Sequence, residues 1–419
     1  MMQTRSMTGR ALRWTLAAAS IAVLAGCQGH GQYTQKFRET QAQKMAGLKA
    51  ATSWDMAHQQ YLSGDLKKAL KTIDESIQLS PEVARSHTLR GRILLEQGNL
   101  ESALQEFDRA IELDPEFVDG HYFRGIVLER FTRFDQALEE YRTSASLDET
   151  NPQYAVAWAE MLIELDRLDE AWSTLESHRA RFEHNAGVRQ TLGHIAMMRG
   201  DTPGAIDHFR EATLLAPDDD GLTEDLARAE MAAGEYAQAD QLLRRVLERS
   251  GDTTRRDLVH LRAQCLAATN QLVAARELLT KLTTDDVGPS DAPAWYALGR
   301  VCLQLNDRKT VRDAANRLIA IAPTTHHGYL LMALFQEKLG DTQKAITTLD
   351  RAVQLATNDP EPALVQAVLL DRVGRHDDAV LAAQHALAID PTSQEALVLA
   401  TELANGNTAF RLTEVPVDQ

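Results

Sequence analysis

An alanine returns every 34 residues along most of this chain: Ala69, Ala103, Ala137, Ala171, Ala205 and Ala239. Gly64, Gly98, Gly200 and Gly234 keep the same beat, as do Pro81, Pro115 and Pro217. A fixed period of this length calls for a stacked array of one supersecondary unit and argues against a single closed core. Each unit reads as two amphipathic helices joined by a short turn. Between Ala84 and Pro115, Gly91 and Ala103 mark where the two helices approach closely, because a larger side chain would force them apart. Gly98 falls at the turn, where a positive φ costs it nothing. Phe107 and Ala110 follow Ala103 at i+4 and i+7 on one buried stripe, and Pro115 closes the unit.

The pattern resembles the tetratricopeptide repeat. Trp295-x2-Leu298-Gly299-x2-Cys302 matches the family's first-helix signature with Cys302 in the aromatic place. Leu192-Gly193, Ala205, Phe209, Ala212 and Pro217 match the rest, as do Gly91, Ala103, Phe107, Ala110 and Pro115. The resemblance implies an all-α fold: a right-handed superhelical solenoid of about ten helix–turn–helix units. Their starts are expected at Ala50, Ala84, Val118, Pro152, Ala186, Asp220, Arg256, Ala292, His326 and Pro360. Units 1–6 occupy 50–251 and units 7–10 occupy 252–391. A capping helix follows over 392–406, then a mobile tail over 407–419. The spacing lengthens around Ser250–Asp252 and Thr284–Pro289, and the turn of the seventh unit carries Asn270 in place of glycine. Two longer surface turns account for this. A hinge between two blocks is the competing reading.

The N-terminus is the second signal. Arg5, Arg10 and Arg13 precede an apolar run from Trp14 to Ala25, too short to span a bilayer and laid out like a secretory signal. Leu24-Ala25-Gly26-Cys27 resembles a bacterial lipoprotein box. That resemblance implies a signal peptide over 1–26, acylation of Cys27 and a tether over 27–49, becoming helical from Thr40. Gln28 after the cysteine points to the outer membrane, with the protein facing the periplasm. The first 26 residues carry three Arg and no acid, leaving 41 bases against 60 acids in the remainder. Such a surface argues against nucleic acid and against the body lying flat on anionic lipid.

No catalytic motif is recognisable: there is no phosphate-cradling glycine loop with lysine, no Gly-x-Ser-x-Gly and no His-Glu-x2-His. The chain reads as a non-enzyme with no cofactor, metal or small-molecule substrate. His326, His327, His376 and His385 read as solvated surface residues, the last two on opposite sides of a turn. Asp218-Asp219-Asp220 reads as a helix N-cap cluster. Cys265 and Cys302 read as small buried residues, with a disulfide the alternative that an oxidising compartment permits.

Function is therefore expected in the groove. In the resembled family, positions two, five, nine and twelve of the first helices face a ligand. Here they include Trp54, His58 and Tyr61, then Arg85, Thr88 and Arg92, then Tyr122 and Glu129, and later His194 and Arg228. Arg85 and Arg92, two turns apart on one face and flanked by Trp54, Tyr61 and Tyr122, form a candidate peptide-binding patch. The clamp that some eukaryotic members use for C-terminal carboxylates is not recognisable. The expected partners are proteins or peptides of the cell envelope. The resemblance to repeat lipoproteins implies assistance to pilus or secretin assembly. Exopolysaccharide export or peptidoglycan-hydrolase regulation is the alternative, and an enzyme subunit a more distant one.

Overall fold

A computed structural model describes residues 32–251 and 255–405. Cys27, the signal-like segment, the start of the tether and the tail 407–419 lie outside the described residues. Twenty-one α-helices and one short 3-10 turn occur among the described residues, with no strand. In the first compact unit, residues 1–191, the order is α1 (Gln32–Leu62), α2 (Leu66–Leu79), α3 (Ala84–Glu96), α4 (Leu100–Leu113), α5 (Val118–Arg130), α6 (Phe134–Leu147), α7 (Pro152–Glu164) and α8 (Leu168–Ser177). Helix α9 (Ala186–Met198) contains the division between Thr191 and Leu192. The second unit, residues 192–419, continues with α10 (Thr202–Leu215), α11 (Asp220–Ala232), α12 (Tyr236–Ser250), α13 (Arg256–Ala268), α14 (Leu272–Thr284), α15 (Ala292–Gln304) and α16 (Arg308–Ile321). It ends with α17 (His327–Lys338), α18 (Thr342–Leu355), α19 (Glu361–Arg372), α20 (His376–Ile389) and α21 (Gln394–Ala404). The division lies elsewhere than the two lengthened spacings.

Seven first helices, α3, α5, α7, α9, α11, α13 and α15, begin on the residues expected as unit starts, and α17 and α19 begin one residue later than expected. The periodic alanines Ala69, Ala103, Ala137, Ala171, Ala205 and Ala239 are all fully buried. The glycines at 91 and 193, within their first helices, have a more specific reason than close backbones. A Cβ on Gly91 would stand 2.6 Å from the ring of Phe107, and one on Gly193 would stand 2.6 Å from the ring of Phe209. These glycines seat an aromatic ring from the second helix of the same unit.

Several helix starts are capped by short acidic or polar side chains. Asp65 accepts from the Lys68 amide, Asp201 from Gly204, and Asp219 from Gly221, so the Asp218–Asp220 cluster does cap a helix. Turns need a left-handed residue, and Gly98 supplies it with φ +78°. Four turns use other residues there: Thr132, Asp166, Asn270 and Asn306, at φ +57° to +59°. Asn and Asp tolerate this region, whereas β-branched Thr132 is strained in it. Thr132→Gly should therefore stabilise the protein by about 1 kcal/mol, read as a rise in thermal midpoint. An unchanged or lower midpoint would show that the position carries no strain.

The insertion after α14 is pinned. Asp285 accepts from the amides of Val287 and Gly288, at 3.2 and 2.7 Å. The Trp295 indole donates to the Gly288 carbonyl at 2.9 Å. Arg256 donates to the Leu282 carbonyl at 2.7 Å and pairs with Asp285 and Asp291. A Cβ on Gly288 would run into the backbone of Leu282 and Thr283, so only glycine lets this turn close. These contacts make the insertion an ordered turn.

Cys265 and Cys302 are free and fully buried, and burial pushes their thiols up to about 12 and about 11. The segment expected to turn helical at Thr40 is already helical from Gln32. No helix among the described residues is long and apolar enough to cross a membrane.

Candidate functional site

The N-terminal groove residues are brought together, but mostly onto one another. The Trp54 indole stacks on His58 with ring centroids 5.0 Å apart and donates to the Arg85 carbonyl at 3.2 Å. The Arg85 guanidinium lies 4.8 Å from the centre of the Trp54 ring. Arg92 is held between two rings, 4.9 Å from Tyr61 and 4.6 Å from Phe123. Such cation–π contacts strengthen as water is excluded. Arg92 is therefore committed to the stack between neighbouring units, and Arg85 is the arginine left exposed.

Thr88 must be corrected. It is 3% exposed, because the α3 residues around it, Ser86 to Leu89, are all buried between helices, so it does not face a ligand. Tyr122 packs against Phe123, Tyr141 and Tyr154, and its hydroxyl accepts from the Gln153 amide at 2.8 Å. Glu129 accepts from the Tyr141 hydroxyl at 2.7 Å. Burial and then the Glu129 carboxylate push the Tyr141 phenol well above its ordinary value, so it remains a donor. In the second unit, His194 stands 3.3 Å from Asp225 and edge-on to Phe209. Arg228 is exposed, with no ion pair found for it among the described residues.

A concavity lies in the second unit, among α13, α15, α16 and the start of α17. It is a cavity of about 430 Å³, of the size that holds small ligands or a few side chains. Its walls are Ala263, Ala267, Ala297, Val301, Leu318 and Ala322, where four alanines leave the space. Its polar rim is His260, Gln264, Tyr296, Arg300, Gln304 and His327. Arg300 donates to the Tyr296 hydroxyl at 3.0 Å and is ion-paired with Glu361. Burial lowers both His260 and His327, keeping them neutral at pH 7.

His326 and His327 are thus not the solvated surface pair expected. Their rings stack with centroids 4.1 Å apart, His327 meets Tyr296 edge-on at 4.5 Å, and His326 lies 2.7 Å from Asp359. Adjacent side chains at a helix start need not diverge, since His326 is the capping residue and lies outside the helix. His376 and His385 are exposed, but both lie on α20, with no turn between them.

A shallower recess adjoins the cavity, sharing His260 and Pro293 with it and adding Arg228, Arg256 and Asp291. A cation is therefore available beside an apolar hole whose own polar groups are paired or neutral. Such a site suits an apolar side chain carried next to an acidic one. His260, Gln264, Tyr296 and Arg300 were missed, yet positions five and nine of units 7 and 8 name all four.

Three stretches match family models for the tetratricopeptide repeat: residues 91–130, 196–256 and 326–359. The chain thus contains tetratricopeptide repeats, and repeats of this kind imply a protein–protein interaction scaffold. A search of curated proteins gave no match. Similar solved structures include pilF of Pseudomonas aeruginosa, 21% identical, TM-score 0.42, covering 48% of this chain and 90% of that one. YrrB, a TPR protein with an unusual peptide-binding site, is 18% identical with TM-score 0.35, covering 43% of this chain and 93% of its own. A tetratricopeptide repeat protein of Parabacteroides merdae is 17% identical with TM-score 0.44, covering 61% and 99%. At these identities the likeness concerns the helical fold alone.

Proposed function

We propose that this chain is a lipid-anchored interaction scaffold of the bacterial cell envelope that binds a segment of a partner protein in the cavity of its seventh to ninth units. The observation that carries the binding role is the alanine-walled cavity beside the exposed Arg228. A partner segment would seat an apolar side chain among Ala263, Ala297 and Val301 and turn a carboxylate toward Arg228. Arg85, stacked on Trp54, offers a second contact in the first unit. The anchor rests on Leu24-Ala25-Gly26-Cys27, and Gln28 favours the outer membrane. An acylated repeat array of this kind suits an escort for pilus or secretion-complex subunits, holding them near the membrane without chemistry of its own.

The test is crosslinking capture from native membranes, comparing wild type with Ala297→Trp and Arg228→Glu. Ala297→Trp fills the cavity, and Arg228→Glu reverses the free cation. Pilus or secretin subunits captured by wild type and lost from both variants, at unchanged helicity, are the expected result. Capture of polymer-export proteins would redirect the envelope role while keeping the site. Capture unaffected by either substitution would place binding elsewhere.

A further inference from the structure

Helix α1 has two halves with different surroundings. From Ala50 onward it packs on α2: Ala50 and Ala57 are buried, and the Ser76 hydroxyl donates to the Ala50 carbonyl at 2.8 Å. Residues 36–49 stand clear, and all but the half-buried Ala46 are exposed. Three large apolar side chains lie on this free stretch: Phe37 at 59%, Met45 at 53% and Leu48 at 63% exposure. At roughly 100° per residue, they share one arc with Gln41. Lys44 borders the arc on one side, Arg38 and Lys49 on the other, and Glu39 points away from it. Residues 32–50 hold four bases and one acid, whereas residues 51–419 hold 37 bases and 59 acids. This stretch is net positive on a chain that is acidic as a whole.

We propose that this face of α1 docks on an anionic lipid surface. An apolar arc edged by long basic side chains is the arrangement that lies in a membrane interface, with the Lys and Arg stems extending beside it and their charges reaching the headgroups. The acidic body of the protein opposes such contact, whereas this segment combines a free apolar arc with basic edges. Distance favours the same surface: four residues lie between Cys27 and Gln32, a reach of at most about 18 Å. In this respect the inference rests on the reading of Cys27 as the lipid-bearing residue. A second copy of the chain is disfavoured as occupant, since the same three bordering cations would face one another. The docked helix would hold the repeats at a set orientation to the bilayer.

The test uses Cys27→Ser protein, which cannot be acylated, in flotation with phosphatidylcholine vesicles with and without phosphatidylglycerol. Binding should require phosphatidylglycerol, weaken at high salt, and fall on the order of tenfold or more in Phe37→Glu/Leu48→Glu. Both residues are exposed, so helicity and thermal midpoint should be unchanged. Binding that the double substitution leaves within twofold, or no binding to either vesicle, overturns the proposal. It is also overturned if the double substitution turns a dimer into a monomer without altering flotation, which would make the face a contact between copies. The anchor is tested separately, by membrane retention of the acylatable chain against Cys27→Ser in cells, so either reading can fail alone.

Discussion

Raising the pH from about 6.5 to about 8 should lower the thermal midpoint of the first unit, and replacing His87 and His121 by glutamine should abolish that fall. The cause is a buried network that occurs twice, 34 residues apart. His87 Nδ1 donates to Glu106 at 2.8 Å and Nε2 to the Pro81 carbonyl at 2.9 Å. His121 repeats this with Glu140 at 2.8 Å and the Pro115 carbonyl at 3.0 Å. Both ring nitrogens face acceptors, so the ring must carry both protons to satisfy them. Arg90 and Arg124 complete the networks, each joining the same glutamate to Asp74 or Asp108.

The carboxylate hydrogen bond raises both histidines against the opposing effect of burial. A raised folded-state pKa means that the stabilisation is complete below the unfolded value near 6.5 and is lost as pH rises through the folded value. Burial alone would raise Glu106 and Glu140, but their bonds to histidine and arginine outweigh it and lower them. Their contribution is therefore present above about 4.5 and lost on further acidification. In the second unit the histidine effect has the opposite sign. His260 and His327 are lowered by burial, so their contribution is lost as pH falls below about 6.5. Glu140→Ala should cost on the order of 2 kcal/mol, less than for a fully buried pair because Arg124 remains a third exposed. A flat midpoint across the higher range would show that the two imidazoles are not held protonated.

Phe209→Ala should cost about 3–5 kcal/mol, since the ring is 1% exposed and fills the space above Gly193. Gly193→Ala alone should cost about 1–3 kcal/mol, because its methyl would meet that ring well inside contact distance. The two changes should not add. Once the ring is gone, the methyl has room, and the helical preference of alanine over glycine contributes about 1 kcal/mol in the other direction. Gly193→Ala should thus become neutral or stabilising in the Phe209→Ala background. Denaturant unfolding of the four proteins measures this coupling. Additive losses would mean that the glycine is there for some reason other than the ring.

Much of the array was legible because a repeat states its rule many times. One alanine at 103 is ambiguous; six at a constant spacing locate a stripe, a turn and a helix start. The repeated His-x2-Arg at 87–90 and 121–124 carried the same period, and that signal could have been read before any coordinates. The histidine partners were harder, since Glu106 and Glu140 lie 19 residues onward and only helix pairing brings them back.

The candidate sites divide along the same line. Position within the unit named Trp54, Tyr61, Arg85 and Arg92, but it did not show that Arg92 would be spent between Tyr61 and Phe123 or that Thr88 would be buried. The residue type alone determined the period, the caps at Asp65, Asp201 and Asp219, and the net positive charge of 32–50, because these depend on neighbours close along the chain. Tertiary packing decided where a cavity stayed open. That outcome depends on how Ala263 and Ala267 of α13, Ala297 of α15 and Ala322 at the end of α16 sum their missing volume in one place, and no local pattern holds that sum.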